Sequence, residues 1–122
     1  MRPSIYKMIM GVSGTPADNA LTWAAQRATA AGTSTAVTPR ALDSGDPAST
    51  TSAGQNHTVE PTYTSTIILF YMALNQRATY TWQAIDPLDG LKVPATASNG
   101  IGLYPTHASF TGNSDASIYF EE

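Results

Sequence analysis

Hydrophobic and polar positions in this chain fall into short, mostly alternating runs, with one exception. From Thr66 to Leu74 the sequence reads Thr-Ile-Ile-Leu-Phe-Tyr-Met-Ala-Leu, the longest apolar run present. Two β-branched isoleucines and two adjacent aromatics suit a pleated, buried surface. At about 3.3 Å per residue the run spans roughly 30 Å, the width of a small sandwich. It is well short of the ~18 apolar residues that a transmembrane helix needs. The Thr-rich segment before it and Pro61 oppose a helix. The pattern predicts a central strand around which the chain folds.

Other strands are read on either side. Ile5 to Val12 alternates loosely, with Tyr6, Met8 and Met10 on one face and Ile5, Lys7 and Ile9 on the other. Arg77 to Ile85 gives the cleanest period of two, and places Tyr80 and Trp82 on the core. Leu91 to Pro94, Ile101 to Tyr104, Thr106 to Thr111 and Ala116 to Phe120 complete the set. Turn signals separate them at Asp86–Gly90, Asn99-Gly100 and Gly112-Asn113. Short strands with turns this closely spaced indicate a sandwich or barrel.

Two segments resist this reading. Thr15 to Gly32 has helix signals: a Thr15 cap, Pro16 in the first turn, central alanines and a closing glycine. Read with a period of two, the same segment puts Leu21, Trp23 and Ala25 on one face, so helix and strand stand level. Ala30 to Asn56 is a tract of Ala, Thr, Ser, Gly and Pro whose large apolar residues are Val37 and Leu42. Segments of this length without structure are uncommon in compact domains and are usually functional or disordered. The tract is expected to be an extended loop or strap across a neighbouring subunit. Its expected contact residues are Val37, Pro39, Arg40, Leu42 and Pro47.

Composition narrows the function. The 122 residues make one domain, and only 12% are charged, about half the usual share. Seventeen Thr and eleven Ser leave a hydroxyl-rich surface that costs little to desolvate, which suits lasting contact with neighbours. A net charge of −3 provides no basic footprint for nucleic acid, and neither a signal peptide nor a membrane segment is expected. Cysteine is absent, so no disulfide or thiolate site holds the fold.

No group of chemical residues forms a recognisable motif. Asp43, Asp46, His57 and Glu60 match neither zinc nor calcium-loop spacing, and turn duty is the expected role of Asp43 and Asp46. His107 has no nucleophile motif around it, and Gly100-x-Gly102 is too short for a nucleotide loop. Asn56-His57-Thr58 has the form of a glycosylation sequon. Neither catalytic residues, nor a cofactor, nor a metal is expected. Trp23, Tyr63, Tyr80, Trp82 and Tyr104 are read first as core, and alternatively as a sugar-stacking face.

The stretch Val37-Thr-Pro-Arg-Ala-Leu-Asp-Ser-Gly-Asp-Pro-Ala48, with Trp23–Thr29 before it and Asn56–Thr62 after it, resembles small proteins of tailed-phage genomes. Leu74–Ala78, Val93–Ile101 and Ala116–Glu121 carry the same likeness, which covers most of the chain from Gly11 onward. The resemblance implies a virion component with a jelly-roll or related β fold, in some cases a capsid decoration or cement protein. It supplies no catalytic residue, and it implies that Trp23–Thr29 is a strand. Many such proteins begin with an additional N-terminal strand pair, and its lack here implies an open sheet edge. The sequence therefore leads to an all-β, jelly-roll-like β-sandwich with a long extended arm. Its expected role is a homotrimeric cement protein bound to the major capsid protein on the virion exterior. A minor tail, neck or head-fibre protein is the nearest alternative, and a carbohydrate-binding module is the alternative of another class.

Overall fold

Strand follows strand through nearly the whole chain. The computed structural model describes residues 2–106, 110 and 112–122. Within them run β1 (Ser4–Ser13), β2 (Ala20–Ala30), β3 (Thr33–Val37), β4 (Ala53–Val59), β5 (Thr62–Asn75), β6 (Tyr80–Gln83), β7 (Leu91–Lys92), β8 (Gly100–Thr106) and β9 (Asn113–Glu121). One short 3-10 turn, Pro87–Asp89, lies between β6 and β7. Asp86 sets it up, its carboxylate accepting from the Leu88 amide at 2.9 Å. The expected strand from Thr106 to Thr111 falls largely outside the described residues.

Two antiparallel sheets face each other. In the first, β1 is central, with β9 along one edge and β6 and β7 end to end along the other. In the second, β2 lies between β5 and β8. First strand thus pairs with last and second with next-to-last, the nested order of a jelly-roll-like sandwich. Between the sheets Ile5, Met8 and Met10 of β1 meet Leu21, Trp23 and Ala25 of β2, all nearly inaccessible to water. Phe70, Met72, Leu74, Trp82, Leu103 and Phe120 pack around them. Each such large side chain, if fully buried, contributes about 1.5–3 kcal/mol.

β2 settles the ambiguous segment: it is a strand, with Leu21, Trp23 and Ala25 turned inward as the period of two implied. Local helix signals yield because a helix would not have carried Trp23 to the core.

The longest apolar run needs a correction. It lies in β5, at an edge of its sheet rather than the centre. Only Phe70, Met72 and Leu74 point inward, and Ile67, Ile68 and Tyr71 are 41%, 51% and 67% exposed. The centre belongs to β2, whose buried Ala24, Ala25 and Ala28 are small enough for larger side chains of both neighbours to cover. A second correction concerns Ile5. A register break between Ile5 and Lys7 brings Ile5 to the same side as Met8 and Met10.

The two crossings between the sheets are joined by Gln76, which is 1% exposed. Its side-chain carbonyl accepts from the Ala17 amide at 3.2 Å, and its side-chain amide donates to Asn19 Oδ1. Its backbone N–H donates to the Asn19 carbonyl at 2.9 Å. The β1–β2 loop is thereby fixed to the β5–β6 turn. Gln76→Ala is expected to cost about 2–3 kcal/mol, because the loss leaves polar groups on both loops unsatisfied. A shift in the urea midpoint worth under about 0.5 kcal/mol would contradict this role.

Candidate functional site

The tract between β2 and β5 is not structureless. Beyond Ala30 the β2–β5 ladder continues as β3 against β4, from Thr33↔Val59 to Val37↔Ala53. The four strands make one long ribbon whose outer half leaves the sandwich as a two-stranded arm. Gly32 marks the departure. It has φ +70, and a Cβ there would stand 2.2 Å from the Val59 carbonyl oxygen. Pro61 lies on the opposite strand of the ribbon. Thr33 and Thr35 in β3 and Thr58 in β4 suit extended backbone, and apart from Val37 and Val59 the two strands carry no large aliphatic, Phe, Tyr or Trp side chain.

All five residues of β3 are exposed, and of β4 only His57 is half-buried. A two-stranded ribbon alone is marginal in water. The arm is partly tied to the body. Glu122, just past β9, accepts from the Thr50 amide at 3.1 Å, from the Thr50 hydroxyl at 3.2 Å, and from the Thr51 hydroxyl. The Thr51 hydroxyl in particular holds this carboxyl below its usual range. Between arm and body an open groove of about 510 Å³ is lined by Gln55 and by Ile9, Thr79 and Asp115, among others.

The five expected contact residues all fall on the arm's outer part. Val37 ends β3 and is 38% exposed, and Leu42 in the tip loop is 79% exposed. Arg40 and Pro47 are exposed beside it, while Pro39 is half-buried. Asp43 does the turn work read from the sequence, its carboxylate accepting from the Gly45 amide at 2.8 Å. Val59, at the arm's base, is 58% exposed.

A second apolar surface escaped the sequence reading. Between Ile68 and Tyr63, β5 spends five residues where β2 spends two, from Gln26 to Ala28. The surplus bows outward, and Gln26 Nε2 fills the gap by donating to the Thr64 carbonyl at 2.8 Å. This bow places the neighbouring Ile67 and Ile68 both in solvent, against a strict period of two. The available signal was an apolar run on both faces, more than an edge strand with one buried face requires.

The aromatics divide. Trp23 is in the core and Trp82 packs against it, whereas Tyr71 and Tyr104 flank Ala24 on the face turned away from the core. Tyr104 donates to Gln26 Oε1 at 2.6 Å, and the Tyr63 ring lies 4.8 Å from that of Tyr104. Gly102 makes room for Tyr63, since a Cβ there would meet its hydroxyl at 2.4 Å. Partial burial, with smaller effects of Glu60 and Tyr104, pushes the Tyr63 phenol up to about 12. An unfolded tyrosine ionises near 10. The folded state therefore keeps its proton longer, and stability due to Tyr63 is intact below about pH 10 and declines toward about 12. Tyr63→Phe is expected to remove that part of the alkaline decline in denaturant midpoint. An identical decline in both proteins would refute the assignment.

Among the described residues no three His, Asp or Glu side chains converge on one point, and His107 lies outside them. Among the described residues no helix is long and apolar enough to cross a membrane. No protein-family model, curated protein or solved structure matches the chain.

Proposed function

We propose that this chain is a structural protein of a tailed-phage virion, a decoration or cement protein that binds the major capsid protein on the head exterior. One observation carries the reading: a β3–β4 arm whose strands pair only with each other and are exposed almost throughout, beside a well-packed sandwich. A free arm gains nothing for an isolated domain, because ordering its backbone costs about 1–2 kcal/mol per residue. A contact made by each arm on a neighbour offsets that cost copy by copy, through the apolar surface it buries. The low charge, the hydroxyl-rich surface and the resemblance of Val37–Ala48 and its flanks to small phage proteins support the same reading. A homotrimer is the proposed assembly, and a tail, neck or head-fibre position is the nearest variant. The sugar-binding alternative has less support, since both tryptophans turn to the core.

The experiment is replacement of residues 38–52 by a short Gly-Ser linker. The shortened protein is expected to keep the cooperative unfolding of its sandwich and to lose binding to capsids that lack the protein. Capsid binding as tight as that of the full chain would refute the role of the arm.

A further inference from the structure

We infer that the apolar strip of β5 is the seat for the arm of a second copy of this chain. The inference rests on the assembling role proposed above and adds the receiving surface. The first argument is area. The chain exposes 7756 Å², whereas a compact monomer of 12.9 kDa is expected to expose about 6,300 Å². The excess, roughly 1,400 Å², is close to the total that a standard interface buries over both partners. A standard interface takes about 800 Å² from each partner.

The second argument is chemical match. The arm carries Val37, Leu42 and Val59 in the open, and the bowed part of β5 with the residues beside it carries Ile67, Ile68 and Tyr71 in the open. Neither set is covered by the other within one chain. Both are aliphatic or aromatic and carry no charge, so their contact desolvates no ion. Scattered exposed apolar residues are ordinary, and Tyr80, Ile85, Leu88 and Ile118 are such cases, but six of the ten among the described residues lie on just two features, the arm and β5. Because arm and seat are different surfaces, each copy gives one and receives one. A ring of three closes this arrangement without leaving either surface bare.

The test uses two full-length variants at very exposed positions, where folding is not at risk: Leu42→Asp on the arm and Tyr71→Asp on the seat. Circular dichroism checks that each folds. Sedimentation velocity is expected to show the unaltered chain as an oligomer, with each variant associating at least tenfold more weakly. Mixed in equal amounts, the two variants retain one intact arm and one intact seat between them, and a 1:1 dimer is expected. The inference is overturned if the unaltered chain stays monomeric near 100 µM, if either variant associates as well as the parent, or if the mixture shows no dimer. Capsid binding is scored separately. Self-association without capsid binding would sink the virion role and leave the seat standing.

Discussion

Trp23→Ala is expected to destabilise the fold by about 3–5 kcal/mol, the range for removing a large aromatic from a packed core. Trp23 is 1% exposed and stands on the central strand β2, among Met8, Met10 and Leu21. Both sheets therefore lose contacts when the indole goes. A small domain has only about 5–15 kcal/mol to lose, so the variant is expected to be largely unfolded at moderate denaturant. Trp23→Phe separates packing from polarity. The indole N–H has no hydrogen-bond partner among the described residues. Phenylalanine thus forfeits no bond and is expected to cost clearly less than alanine. Equal losses for the two variants, read from urea midpoints, would contradict the placement of Trp23 at the core's centre.

Gly32→Ala is expected to act on the arm and spare the sandwich. The backbone at Gly32 has φ +70, where an L side chain costs about 1–2 kcal/mol. The new methyl would also stand 2.2 Å from the Val59 carbonyl oxygen and 2.8 Å from the carbonyl carbon of Glu60. Both are backbone atoms, so the two strands of the ribbon must move apart where they leave the body. Hydrogen exchange of amides in β3 and β4 is expected to accelerate at least tenfold, with little change in β1 and β2. Self-association is expected to weaken in parallel. Unchanged exchange in the arm would show that the ribbon does not depend on this bend.

The elements legible in the sequence are those with one buried and one wet face. Arg77 to Ile85 alternates because Trp82 packs inward between residues that face water, but only Tyr80–Gln83 of it forms β6, and Tyr80, expected on the core, is 37% exposed with its ring beside Phe70. β1 was readable for the same reason except at Ile5, where the register breaks, whereas β9, exposed except at Tyr119 and Phe120, was marked by the turn at Gly112-Asn113 before it. β2 was harder because alanine is at home in a helix and in a crowded sheet centre alike; Trp23 is what decides it. The Thr66–Leu74 run misled through its uniformity. Side chains apolar on both faces look like a central strand, yet here the outer ones form a surface. β3 and β4 left no alternation to detect, since none of β3 and almost none of β4 is buried. Their pairing follows instead from the β2–β5 ladder they prolong. The arm half of the candidate site was thus visible as an oddity of length and composition around Val37 and Leu42. The seat half was not, because the bow in β5 arises from pairing register, which no local pattern records.

The most direct measurement is titration of the purified chain onto phage heads that lack it, followed by co-sedimentation and image reconstruction. Saturable binding is expected at a fixed ratio to the major capsid protein, with density on the outer surface and heads that withstand higher temperature. Absence of binding at micromolar concentration, with the heads no more stable for its presence, would contradict the account.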